Sequence, residues 1–128
     1  MASTEEALVS TIEADAACQT HLGSSPATRF YPSVLPQAPV LPAAVWTRIA
    51  GAPVQSFDGL DTLDNAMVQI DCWAETLDAA RDLAGAMRAA IDAASGLGAH
   101  FQRFWTDFED KPRLYRVSMD VSLWVVET

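Results

Sequence analysis

Met67-Val-Gln-Ile-Asp-Cys-Trp-Ala-Glu-Thr-Leu-Asp-Ala-Ala-Arg-Asp-Leu-Ala-Gly-Ala-Met-Arg-Ala-Ala-Ile91 changes its hydrophobic period part-way along. In the first part Ala66, Val68, Ile70, Cys72 and Ala74 alternate with Met67, Gln69, Asp71 and Trp73, the two-residue repeat of a strand with one apolar face. In the second, Leu77, Ala80, Ala84, Met87 and Ile91 recur at steps of three and four, one stripe of an α-helix. Thr76 is placed to cap that helix, and Asp78 and Asp82 suit the positive pole of its dipole. The helix is expected from Leu77 to shortly before Gly96. Its small alanines let the axis come close to a sheet, so a helix lying on a sheet is implied.

Around this unit the chain reads as follows. Ser3 and Glu6 have the spacing of a capping box, predicting a helix from about Thr4 to Ala14. Asp15 starts a short second helical piece through Leu22, which Gly23 ends. Thr28 to Tyr31 can form a brief strand. Pro32, Pro36, Pro39 and Pro42 exclude a helix or a central strand, so this segment is expected to be an extended connector. Its P-x-x-P spacings lack the flanking basic residue of an SH3 ligand. Ala43 to Ala50 is a predicted strand, with Val45 and Ile49 on one face and Trp46 and Arg48 on the other. Gly51 and Pro53 are read as interrupting it, and polar Gln55 to Asn65 as a long loop or hairpin tip. Phe101 to Glu109 and Tyr115 to Val126 predict a hairpin turning around Asp110-Lys111-Pro112-Arg113.

The expected fold is therefore a single α+β domain over residues 1–128. An antiparallel or mixed sheet of about four strands carries a long helix on one face, with a short N-terminal helical segment. No internal repeat is visible. The chain has 17 acidic and 8 basic residues, a formal charge of −9, which argues against binding nucleic acid through phosphate neutralisation. Two cysteines, Cys18 and Cys72, make no disulfide framework, and Cys72 falls on an apolar strand face. Glu5 and Glu6 stand where a signal peptide would be positive, and no apolar run is long enough to span a membrane. A soluble cytoplasmic product is the expectation, with no membrane partner.

No chemistry emerges from the polar residues. His21 and His100 have no partner at ligand spacing, and Asp58, Asp61 and Asp64 lack the spacing and closing Glu of an EF-hand loop. Gly96 and Gly98 follow a helix, which rules out a dinucleotide fingerprint, and no serine has a nucleophile-elbow context. The expectation is a protein that is not an enzyme and holds no metal or cofactor. The less ordinary feature is the set Trp46, Trp73, Trp105 and Trp124, which the alternation assigns to one second sheet face. Either the N-terminal helix covers that face or a neighbouring subunit covers part of it.

Four strings, Leu41-Pro42-Ala43-Ala44-Val45-Trp46-Thr47-Arg48-Ile49-Ala50-Gly51, Val68-Gln69-Ile70-Asp71-Cys72-Trp73-Ala74, Asp78-Ala79-Ala80-Arg81 and Leu114-Tyr115-Arg116-Val117-Ser118-Met119-Asp120-Val121, together with Arg29-Phe30-Tyr31-Pro32, resemble the tail completion or tail terminator family of long-tailed phages, prophages and gene transfer agents. Their order and spacing carry the match over nearly the whole chain. The resemblance implies a lambda tail terminator-like structural protein of the virion. Such proteins form a hexameric ring that caps the tail tube, stops its polymerisation and joins it to the head-side connector or stopper protein. It further implies residence in the host cytoplasm during assembly and then at the head-tail junction, with DNA passing through and not bound by sequence. On this reading Trp105, Trp124, Trp46, Pro36 and Pro39 are candidate interface residues, and Asp58, Asp61 and Asp64 are candidates to line or rim the ring opening. The competing expectation is a small-molecule-binding α+β domain without catalysis.

Overall fold

Two features organise the chain's elements: a strand paired along both edges, and helices gathered on one side of it. The computed structural model describes residues 4–25, 27–37, 39–55, 62–109 and 114–127. In chain order the elements are α1 (Thr4–Ala14), α2 (Ala16–Leu22), β1 (Phe30–Pro32), β2 (Ala43–Gln55), β3 (Thr62–Ala74), α3 (Leu77–Ala93), β4 (His100–Glu109) and β5 (Leu114–Glu127). They form an α+β fold whose mixed sheet has five strands in the order β1-β2-β3-β5-β4. β1 runs parallel to β2, and every other pairing is antiparallel. The brief strand is thus a full member of the sheet, raising the expected count of about four to five.

The expected caps are in place. Asp15 accepts the amide of Cys18 at 3.0 Å and Thr76 accepts that of Ala79 at 3.1 Å, satisfying donors that the first turn leaves unpaired. Gly23 leaves α2 at φ 87°, where a side chain would be strained, and its N–H returns to the Gln19 carbonyl at 2.8 Å. Arg29 then clamps the connection, donating through Nη2 to the His21 carbonyl at 2.7 Å and through Nε to the Pro42 carbonyl at 3.0 Å. Ser3, and with it the proposed capping box, lies outside the described residues, as does the turn 110–113.

All three helices pack on one sheet face. Leu8 and Ile12 of α1, Cys18 and Leu22 of α2, and Leu83, Met87 and Ile91 of α3 meet Val68, Ile70 and Cys72 of β3 and Met119, Val121 and Leu123 of β5 in one core. Leu83, which the stripe drawn from the sequence omits, is fully buried, whereas Leu77, which it includes, is only partly buried. The N-terminal helix therefore does not cover the second sheet face.

Two boundaries differ from expectation. β2 runs on through Gly51 and Pro53 to Gln55, and β3 starts at Thr62, so both ends of the expected 55–65 segment, Gln55 and Thr62 to Asn65, are paired strand, Gln55 opposite Thr62 and Asn65 opposite Ala52, while 56–61 lie outside the described residues. The physical reason is position in the sheet. β1 pairs only as far as Trp46, so beyond it β2 is an edge strand, and an edge tolerates a proline whose missing N–H would have faced outward. A bulge between Arg48 and Ala50 leaves Ile49 unpaired and 48% exposed.

Both thiols are buried. Burial, followed by the hydrogen bond and charge of Asp15, pushes the Cys18 thiol from the ordinary 9.0 up to about 12. Burial chiefly, then the Asp71 charge, also raises that of Cys72, whose Sγ lies 3.7 Å from the Met87 sulfur. Raised folded-state values mean that the thiols hold their protons longest in the folded chain. Their contribution is complete below pH 9.0 and is lost as pH rises from there to about 12. Urea midpoints should accordingly fall between about pH 8 and about pH 10.5, and Cys18→Ala should reduce that slope. An unchanged slope in the variant would show that Cys18 plays no part in it.

Candidate functional site

The second face of the sheet is built by the residues that alternate with the core. Strand register aligns them in three rows across β2, β3, β5 and β4: Thr47, Gln69, Asp120 and Arg103; Val45, Asp71, Ser118 and Trp105; Ala43, Trp73, Arg116 and Asp107. Within these rows the polar groups pair with one another. Asp71 Oδ1 accepts from Ser118 Oγ at 2.6 Å and from Gln69 Nε2 at 3.0 Å. Arg103 bridges to Asp120 at 3.2 Å, and Arg116 to Asp107. The two guanidiniums also lie against aromatic rings, Arg103 at 4.4 Å from the Trp105 centroid and Arg116 at 5.3 Å from that of Trp73. Asp120 is 8% exposed, and its second oxygen, Oδ1, has no hydrogen-bond partner among the described residues.

The proline-rich connector closes one end of this face. Leu35 and Leu41 pack on a small cluster of Val45, Trp73 and Leu114, separate from the main core. Between connector and sheet lies a hollow of about 340 Å³ that reaches Asp71 and Arg116. The outer side of the connector is apolar, with Val34 73% and Val40 65% exposed; Pro36 is exposed and Pro39 half-buried.

The four tryptophans are divided between faces. Trp73, Trp105 and Trp124 belong to the polar face, as expected, whereas Trp46 pairs with Ile70 and packs against the main core on the helix side. The alternation misled because Arg48, in phase with Trp46, is charged. It sits on the helix face because Glu5 of α1 meets it at 3.0 Å. Trp124 is 37% exposed and is held by the turn before β4: its N–H donates to the Leu97 carbonyl at 2.8 Å, and a Cβ on Gly98, at φ 52°, would come within 2.9 Å of the Trp124 carbonyl. Trp73 is buried. Asp58 and Asp61 lie outside the described residues. Asp64 is a β3 residue, paired with Pro53 and Val125.

One group escaped the sequence reading. On the helix side of edge strand β4, Phe101 and Phe104 stack at 5.6 Å, and Arg88 of α3 lies over both rings, 4.9 Å from the Phe104 centroid. Phe104 and Phe108 are 44% and 45% exposed. Simple alternation puts Phe101 and Phe104 on opposite faces, and a bulge between Phe101 and Arg103 brings them together.

Among the described residues no three His, Cys, Asp or Glu side chains form a group that could hold a metal, and no helix is long and apolar enough to cross a membrane. The described surface carries a polar sheet face, exposed valines on the connector and an aromatic edge. The sequence model of the tail completion protein gp17 family matches residues 6–126. The chain belongs to that family. This tail completion protein is accordingly a structural component of a phage-type tail. Its fold is similar to that of a chain in a solved structure described as the virion of a native gene transfer agent particle, with a TM-score of 0.64 and 18% identity over 94% of this chain and 92% of that one. No curated protein matches it.

The polar face can be tested by its stability. Asp71→Ala removes the acceptor of the fully buried Ser118 hydroxyl and should cost about 1–3 kcal/mol in urea unfolding. The double change Asp71→Ala with Ser118→Ala should recover part of that loss. A single change without cost would show that the pair is not a structural bond of the sheet.

Proposed function

We propose that this tail completion protein assembles as a closed homo-oligomeric ring, a hexamer, that caps the tail tube, ends its polymerisation and joins it to the head-side connector or stopper protein. The observation that carries the reading is membership of the tail completion protein gp17 family over residues 6–126. Phe104, Phe108 and Trp124 are exposed large side chains at the β4 side, and Val34 and Val40 are exposed on the connector. The aromatic members of this set have the chemistry of interface centres. Trp105, Trp124 and Trp46, with Pro36 and Pro39, are assigned to contacts with ring neighbours or the tube.

The charge excess fits a conduit. DNA carries about one negative charge per 1.7 Å of axis, so a basic opening would hold it by counterion release. With 17 acidic and 8 basic residues, the chain can line an opening with acid. Asp58, Asp61 and Asp64, on and beside the link between β2 and β3, are assigned to that rim.

Light scattering of the purified chain, alone and with tail tube protein, tests the reading. The expected result is a single ring mass, reached at the lowest concentration when tube protein is present. A chain that stays monomeric in both conditions would contradict it, and a ring whose opening is lined by Arg and Lys would overturn the rim assignment.

A further inference from the structure

A ring of identical subunits needs two different, complementary patches on opposite flanks of each copy. This inference rests on the ring reading and asks where those patches lie. One flank holds Phe104 on β4, exposed, stacked on Phe101 and roofed by Arg88. On the other flank, α1 and β2 enclose an open groove of about 420 Å³ with Trp46 and Val9 as its apolar lining and Glu5, Glu6 and Ser10 beside them. We propose that Phe104 of one copy seats in the groove between α1 and β2 of the next copy, with Arg88 against the groove's carboxylates.

Three observations favour a second copy of this chain as the occupant. The first is charge. Glu5 and Glu6 put two carboxylates along the groove, and Arg88 on the opposite flank is 54% exposed, with Asp92 at 3.7 Å and the Phe101 and Phe104 rings beneath it. The second is height. Trp46 pairs with Ile70, Ile70 with Met119, and Met119 with Phe104, so groove floor and aromatic side chain stand in one row on the same sheet face, three strand spacings or roughly 14 Å apart. Patches at equal height meet by rotation about an axis along the strands without a rise, which closes a ring; a rise would wind a filament. The third is preorganisation. Phe104 is already stacked on Phe101 with Arg88 over both rings, so seating it immobilises little that was free.

β4 and, beyond the reach of β1, β2 flank the sheet in opposite directions, yet each carries a bulge, and β2 contains Pro53. Those are devices that discourage continuous pairing between edges. The side-chain contact on the helix face avoids them.

Two variants of the full chain test the proposal by mixing. Phe104→Asp removes the inserted ring, and Ser10→Arg fills the groove; both residues are exposed, and thermal melts establish that each variant folds. Wild-type chain is expected to give the ring mass, each variant alone a monomer, and an equimolar mixture a heterodimer of twice the monomer mass. The mixture stops there because one partner supplies the only intact Phe104 and the other the only intact groove. A ring formed by either folded variant, or a mixture that stays monomeric beside a wild-type ring, would overturn the contact while leaving the ring reading intact. A wild-type chain that never assembles would end both. Should a variant fail to fold, the charge pair Arg88→Glu and Glu6→Arg replaces it: each alone should reduce assembly at least about tenfold, the combination should restore it, and additive losses would overturn the contact.

Discussion

The register of β3 is the constraint on which the rest of the structure depends. All thirteen of its residues lie in a strand bonded to β2 on one side and β5 on the other. A slip of one residue on either side would carry Val68, Ile70 and Cys72 from the core to the polar face and bring Asp71 under α3. The helix enforces the choice, because Ala80, Ala84 and Ala90 allow Leu83, Met87 and Ile91 to reach the sheet closely. With register fixed, the polar rows, the exposed edge of β4 and the open upper edge of β2 follow. The surfaces available for assembly are thus consequences of one strand's alternation.

Legibility of the fold tracked the strength of these repeats. α3 was readable to its first residue because Thr76 and a five-member stripe agree, and β5 was readable because Val117, Met119, Val121, Leu123 and Val125 keep a strict period of two. The extension of β2 was not readable, since a proline and a glycine look like a stop unless one knows that the strand lies at an edge there. Trp46 was assigned to the wrong face because its phase-mate Arg48 is charged, and Glu5, which meets Arg48 on the helix face, lies 43 positions away in the chain. The aromatic edge stayed hidden because a bulge reverses the alternation inside β4, and nothing in the local sequence announces it. Asp71 and Ser118 could be placed on a polar face from the sequence, but their bond spans 47 positions and appears only when β3 and β5 are paired.

Function was legible through the order of structural strings and not through any reactive group. The tail completion protein gp17 family match covers residues 6–126, and the fold is shared with a chain of a gene transfer agent particle at only 18% identity. A fold held by alternation and small-residue helix packing can survive such divergence, since many apolar sets of similar volume satisfy it. Its polar face is internally paired through Asp71, Asp120 and Asp107, leaving aromatic and apolar side chains as the more available anchors.

The central claim is that this chain ends the tail tube and prepares it for the head. Electron microscopy of tails from particles made without the chain measures this most directly, through tube length and attachment. The account predicts tubes of broad, extended length without heads, returned to one length and to attachment when the chain is supplied. Tails of normal length joined to heads in its absence would contradict it.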